Sequence, residues 1–167
     1  MASRSRVFHP LLVLIFSLIG ALLYAACATW RFSGATLSNQ YLYVVPIVVP
    51  FTAFLLDRAE QGSRAGALGL AIDTLVVVTA MMRVFGDVPY VSGHALFLTY
   101  AVLRPGSLVT RVTAALVMLE VVYLKFFVWH DRITPLTGMA LALVAALTLR
   151  RFGNNRVVEQ KSEPAVS

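Results

Sequence analysis

Charged residues are scarce in this chain: they make up 13% of its 167 residues, whereas 59% are hydrophobic. A soluble domain is typically about half apolar and about a quarter charged. Together with a mean hydropathy of +0.78, this scarcity excludes an ordinary soluble domain and predicts an integral membrane protein. The length leaves room for one compact helical bundle.

Cysteine is almost absent, because Cys27 is the only one in the chain, and this excludes an intrachain disulfide. An apolar run and two arginines, Arg4 and Arg6, precede Cys27, an order that faintly resembles a lipoprotein cleavage box or a signal peptide. Apolar segments continue downstream, however, and they favour a small residue inside a first membrane helix.

Acidic residues are also few, with 8 Asp and Glu against 14 Lys and Arg, for a formal net charge of +6. In a soluble protein this surplus would suggest a nucleic-acid partner. Here the basic residues cluster at the ends of apolar segments and in the C-terminal tail, where they set membrane topology. We therefore expect membrane lipids as partners and no nucleic acid.

Six apolar segments predict an all-α, polytopic membrane bundle of about six transmembrane helices. They are residues 10–28, 41–56, 65–82, 93–103, 108–129 and 133–149. A full span needs roughly 20 residues, so the second segment is marginal and the fourth is short. A helix is still required in each, because unpaired backbone is not tolerated against lipid.

The connections between these segments are polar, as in residues 33–39, 57–64 and 86–89. Residues 1–152 are predicted to form the transmembrane domain. Residues 153–167 are rich in polar and charged side chains and are predicted to be a disordered cytoplasmic tail.

The Lys and Arg distribution predicts an orientation in the plasma (inner) membrane. With six spans and both termini in the cytoplasm, ten basic residues lie on the cytoplasmic side and four on the other. The ten are Arg4, Arg6, Arg58, Arg64, Arg104, Arg111, Arg150, Arg151, Arg156 and Lys161; the four are Arg31, Arg83, Lys125 and Arg132. An excess of Lys and Arg marks the cytoplasmic side of short loops.

Three ionisable residues fall inside predicted spans: Asp73, Glu120 and Lys125. Each costs about 2.5–3.5 kcal/mol on insertion scales, so its presence needs a reason. One interpretation is a buried polar site or a proton path. The other is a clamp between helices, for example Asp73 hydrogen-bonded to Thr or Tyr. Asp73 and Glu120 are predicted to face the bundle interior.

Two histidines, His94 and His130, are the best candidates for chemistry. His94 follows Ser92-Gly93 at the start of a helix, and His130 lies between Trp129 and Asp131. The predicted orientation puts both on the outer face. Imidazole titrates near neutral pH and can attack or donate a proton. Alternatively, each histidine is only a polar anchor at the membrane interface.

A metal-dependent hydrolase is a further hypothesis, with His94, His130, Asp131 and Asp87 as ligands. No compact His-x-x-x-His or Asp-rich motif accompanies these residues, so it is the least favoured one. We predict no metal and no cofactor.

The segment from Val91 to Leu98 resembles the second signature of the type 2 phosphatidic acid phosphatase family, normally Pro-Ser-Gly-His. The segment from Lys125 to Gly138 resembles the third signature of the family, in which Ser-Arg is followed by a histidine and then by an aspartate. The resemblance covers roughly residues 86–148. It implies a six-helix membrane bundle that hydrolyses a lipid phosphate or pyrophosphate at the outer membrane face through a phosphohistidine.

The resemblance also implies roles for individual residues. His130 would be the nucleophile and His94 the general acid, with Asp131 close to the nucleophile. The implied phosphate-binding residues are Ser92, Gly93, Arg83, Lys125 and Arg132.

The chain departs from the family pattern at several positions. Val91 replaces the proline, Thr134 stands where the family has the orienting aspartate, and Tyr123-Leu124 replaces Ser-Arg. The first signature, a lysine followed by Arg-Pro, is absent. The alternative is therefore a non-catalytic bundle, a lipid-binding or scaffolding relative of the same fold.

Overall fold

The computed structural model describes residues 5–61, 66–85 and 90–162. Within these ranges every regular element is a helix, which confirms the all-α prediction. In chain order the helices are α1 (Ser5–Arg31), α2 (Gly34–Tyr43), α3 (Val45–Gln61), α4 (Gly66–Phe85), α5 (Gly93–Leu103), α6 (Leu108–Tyr123) and α7 (Ile133–Ser162). A π-helical turn, Leu124–Val128, continues α6.

Two connections that were predicted as loops are partly helical. The polar segment 33–39 contributes to α2, which ends before the prolines of α3. Helix α3 continues through Asp57 and Arg58 to Gln61, because Ala59, Glu60 and Gln61 are good helix formers and no proline or glycine follows Pro50 within the helix. Asp57 and Arg58 therefore lie at the end of a helix inside the bundle, not in the solvated loop that was predicted for residues 57–64.

Helix α7 extends past the predicted start of the tail at residue 153 and ends at Ser162. Glu159, Gln160 and Lys161 favour helix, and the first proline of the tail, Pro164, lies beyond that end.

Helix α5 lies at the centre of the bundle and packs against α3, α4, α6 and α7. It has only 11 residues, which corresponds to a length of about 16 Å. Its buried side chains point in all directions: Ala95, Leu96, Phe97, Leu98, Tyr100 and Ala101. A helix that is apolar on every side is enclosed by protein. Polar groups can therefore reach α5 only at its two ends, and the two polar clusters described below lie there.

Two helices are long and apolar enough to cross a membrane, namely Pro10–Arg31 and Ile133–Arg151. Large apolar side chains also cover the outside of the bundle, with Leu14, Leu116 and Leu119 each more than 60% exposed. A soluble monomer rarely exposes so wide an apolar surface. Both features are typical of a protein that associates with a membrane.

Candidate functional site

The two histidine-bearing segments meet at one end of the bundle. The backbone N–H of Ser92, just before α5, donates to the carbonyl of Thr134 in the first turn of α7 at 2.9 Å. The end of α6 and the connection to α7 complete this region. We call it the histidine end and define it by Ser92, His94, Lys125, His130, Asp131 and Thr134.

Ser92 begins α5 and is almost fully buried, with 1% of its surface exposed. Its backbone is extended, and its hydroxyl accepts a hydrogen bond from the backbone N–H of Ala95 at 3.4 Å. This is an ordinary N-cap, which satisfies one of the otherwise unpaired N–H groups of the first helical turn. The hydroxyl that was predicted to bind phosphate therefore stabilises the helix.

Two glycines allow the helices of the histidine end to approach one another closely. A Cβ at Gly93 would lie 2.2 Å from the backbone carbonyl oxygen of Ala80 on α4, and a Cβ at Gly138 would lie 2.6 Å from that of Ser92. No side chain fits at either position. Gly93, predicted to cradle phosphate, thus has a packing role between α4 and α5.

Asp131 ties the end of α6 to the start of α7. Lys125 Nζ lies 2.8 Å from Asp131 Oδ2. The Thr134 hydroxyl donates to the same oxygen, and the Thr134 N–H donates to Oδ1 at 3.2 Å. Partial burial acts to raise the pKa of Asp131, but the hydrogen bonds from Lys125 and Thr134 outweigh it and hold the pKa at about 2. Asp131 is therefore an anion at neutral pH.

Lys125 is buried and engaged on two sides. Besides its ion pair with Asp131, its ammonium lies 5.7 Å from the centroid of the Trp129 ring, within cation–π range. The sequence predicted Lys125 to bind substrate phosphate. The structure shows it holding the connection that carries His130.

His130 is exposed and has a left-handed backbone, with φ of +51°. The N–H of Asp131 donates to the carbonyl of Lys125 at 2.8 Å, and that of Trp129 donates to the carbonyl of Leu124 at 2.9 Å. These bonds close the π-helical turn around His130, as glycine-containing caps close ordinary helices. A left-handed conformation costs roughly 1–2 kcal/mol for a side chain other than glycine. The imidazole is thus presented to the surroundings by a strained backbone.

The remaining predicted site residues are distributed unevenly. His94 is half-buried in the first turn of α5, and Arg132 is exposed beside Asp131. The side chain of Arg83, and Asp87 with the rest of segment 86–89, lie outside the described residues. Within the part of the chain that is described, no three His, Cys, Asp or Glu residues group closely enough to hold a metal ion.

A second polar cluster lies at the other end of α5. Of its members, only Asp73 was predicted from the sequence to lie in the interior. Asp73 on α4 accepts a hydrogen bond from the Tyr100 hydroxyl at 2.6 Å, which confirms its predicted interior position. Arg58 Nε and Arg104 Nε each lie 2.8 Å from a carboxylate oxygen of Asp73. We call Arg58, Asp73, Tyr100 and Arg104 the arginine end. Glu120, also predicted to face inward, is only partly buried.

Asp57 is buried beside the arginine end and binds the start of α6. Its Oδ2 accepts hydrogen bonds from the Ser107 N–H at 2.9 Å and from the Thr110 hydroxyl at 2.7 Å. A carboxylate is favoured at a helix N-terminus by the helix dipole. Arg58 and Arg104 had been interpreted as cytoplasmic charges, and no local motif distinguishes them from such residues.

Comparison with protein-family models, curated proteins and solved structures found no match for this chain. Any function must therefore be argued from the chemistry of its own residues.

Proposed function

We propose that the protein is a membrane phosphatase that hydrolyses a lipid phosphate or pyrophosphate at the histidine end. One observation carries this proposal: the Ser92–Thr134 backbone hydrogen bond joins the two segments that bear His94 and His130. Each histidine lies within four residues of that bond in sequence. Two imidazoles near one surface provide the nucleophile and the proton donor that phosphoryl transfer requires.

In the proposed reaction, an imidazole nitrogen of His130 attacks phosphorus and the bond to the lipid oxygen breaks. His94 gives its proton to that leaving oxygen. Water, deprotonated by His94, then attacks the phosphohistidine, which releases phosphate and regenerates His130. The exposure of His130 favours the role of nucleophile, because an incoming phosphate can reach its ring.

Positive charge must stabilise the transferring phosphoryl group. Arg132 is exposed next to Asp131 and is the described cation best placed for this. Lys125 contributes indirectly, because its pair with Asp131 fixes the connection between α6 and α7. The N-terminus of α5 adds the positive end of a helix dipole at the same end.

We further propose six membrane spans, formed by α1, α3, α4, α5, α6 with its π-turn, and α7. Both termini would be cytoplasmic in the plasma membrane, and the histidine end would face outward. The ten-to-four distribution of Lys and Arg supports this orientation. Cysteine labelling at Ser38 in intact cells would support it, and labelling at Ser63 without permeabilisation would overturn it.

A non-catalytic bundle, lipid-binding or scaffolding, is the second candidate, and a specific observation favours it. Ser92 and Gly93 are buried in capping and packing, and Lys125 is bound to Asp131. These three residues, which the resemblance implies to bind phosphate, thus all have structural roles.

Phosphate release from phosphatidic acid and from a lipid pyrophosphate, by the full chain in detergent micelles, separates the two candidates. His130→Ala is expected to abolish release. His9→Ala, which removes the third histidine of the chain, serves as the matched control and is expected to keep the wild-type rate. Full activity in His130→Ala would refute the mechanism. No release by the wild-type protein would favour the non-catalytic bundle.

A further inference from the structure

At the arginine end, one carboxylate faces two guanidinium groups. Arg58 Nε is 2.8 Å from Asp73 Oδ2, and Arg104 Nε is 2.8 Å from Asp73 Oδ1. The Tyr100 hydroxyl also donates to Oδ1. Both carboxylate oxygens of Asp73 therefore contact a guanidinium group. The arginine end contains two positive charges, on Arg58 and Arg104, and one negative charge, on Asp73.

Arg58 has a buried donor with no acceptor among the residues that the structure describes. Its Nη1 is enclosed and forms no hydrogen bond to any of them. Arg104 differs, because its Nη2 donates to Gln61 Oε1 at 2.9 Å and its Nη1 to the Pro105 carbonyl at 3.4 Å. Leaving a buried charged donor unsatisfied is costly. An anion beside Arg58 would remove that cost.

Within the described residues, the two acidic side chains of α3 do not supply an acceptor for Arg58 Nη1. Asp57 directs its Oδ2 to the N-terminus of α6, and Glu60 is exposed. A third guanidinium lies nearby, since Arg150 Nη2 on α7 donates to the Leu103 carbonyl at the C-terminal end of α5 at 3.2 Å. Arg150 thus adds a third, exposed arginine at this end of the bundle.

We propose that Arg58 and Arg104 bind a phosphate group at this end, either of an anionic lipid headgroup or of a soluble phosphate. The planar guanidinium fork matches phosphate oxygens better than a point charge does. Arg58 keeps 13% of its side chain exposed, against 6% for Arg104 and 4% for Asp73. Arg58 therefore forms the outer side of the cluster, from which a ligand would approach.

This site is separate from the histidine end and does not depend on the proposed phosphatase activity. His94 and Arg104 are ten positions apart along α5 and its C-cap, or about 15 Å along a helix. Phosphate bound by the two ends can thus be distinguished by substitution.

The test uses the full chain in neutral detergent micelles. Its thermal unfolding is followed as inorganic phosphate replaces chloride at constant ionic strength. Phosphate is expected to raise the unfolding temperature in a saturable way. Arg58→Gln should weaken the apparent phosphate affinity by about tenfold or more, because a charge-assisted hydrogen bond is lost. Arg111→Gln, which removes an exposed arginine of α6, should leave this affinity near the wild-type value.

Three results would overturn the proposal: no phosphate-specific stabilisation of the wild-type protein, an unchanged affinity in Arg58→Gln, or an equal loss in Arg111→Gln. If Arg58→Gln does not fold, Arg58→Lys carries the test, because it keeps the charge next to Asp73 and loses the fork. The same weakening is then expected.

Lipid nanodiscs distinguish the two sources of phosphate. Discs of phosphatidylcholine are compared with discs that also contain phosphatidylglycerol, whose phosphodiester a phosphomonoesterase does not cleave. If phosphatidylglycerol removes the stabilisation by inorganic phosphate, the site binds a lipid headgroup. If that stabilisation persists in both discs, the site binds soluble phosphate.

Discussion

The two ends of α5 hold their charges in different ways. At the histidine end the ion pair joins Lys125 and Asp131, six residues apart in sequence, across one helix–helix connection. At the arginine end, Arg58, Asp73 and Arg104 come from three helices and meet inside the bundle. The first arrangement is local and partly exposed, whereas the second is long-range and buried. Substitutions at the arginine end should therefore affect the whole fold, and those at the histidine end only one connection.

The largest effect is expected for Asp73→Asn. It leaves two buried guanidiniums without their carboxylate, and breaking a buried ion pair from one side costs about 3–5 kcal/mol. Asp131→Asn is the matched change at the histidine end and should cost less, about 1.5–3 kcal/mol, as for a hydrogen bond to a charged group. Unfolding of both variants in detergent micelles measures the two costs. Equal destabilisation would remove the distinction between the ends.

Gly93→Ala should destabilise the protein by about 1–3 kcal/mol, the usual cost of overpacking. The new Cβ would meet the backbone of Ala80, which cannot move without shifting α4. Gly20→Ala is the control, because its Cβ would meet only the Val48 side chain, at 2.9 Å, and that side chain can rotate. Thermal unfolding should rank Gly93→Ala as the more damaging change. The reverse order would show that α4 and α5 tolerate separation.

Acid should weaken the histidine end through Asp131. Its pKa of about 2 in the folded protein lies below the ordinary value of 3.8. A lowered carboxyl pKa contributes stability that is full above the unfolded-state value and is lost as pH falls through the folded one. The wild-type protein should thus lose stability between about pH 4 and pH 2. Asp131→Asn should lose less over the same interval, and identical pH profiles would contradict the role of Asp131.

The smallest effect concerns the backbone of His130. Its left-handed conformation suits glycine better than any side chain, so His130→Gly should be more stable than His130→Ala by about 1 kcal/mol. Both variants lose the imidazole equally, which isolates the backbone contribution. Chemical unfolding midpoints in micelles provide the measurement. Equal stability would indicate that the turn relaxes when the histidine is removed.

Much of the helical framework could be predicted from apolar runs. The segments 93–103 and 133–149 correspond closely to α5 and to most of α7. Segment 33–39 was less predictable, because a short polar helix and a polar loop can have similar compositions. The end of α3 was misassigned because Asp57 and Arg58 are charged, and charge in a sequence does not tell whether a partner is present.

For the candidate site, the sequence identified His94, His130, Lys125 and Asp131, and the structure brings the segments that contain them together. The sequence did not show that Ser92 and Gly93 are buried, since capping and close helix packing depend on the neighbouring helices. The phosphatase role of these residues stays a prediction.

Composition and apolar segments by themselves determined the helical class and most of the helix positions, because these depend on segments of ten to thirty consecutive residues. Only the tertiary structure decided that Arg58 and Arg104 share the carboxylate of Asp73, and that α5 is enclosed on every side. The physical reason is that burial and ion pairing depend on which helices are neighbours in space. Residues 58, 73 and 104 carry no local signal of that proximity.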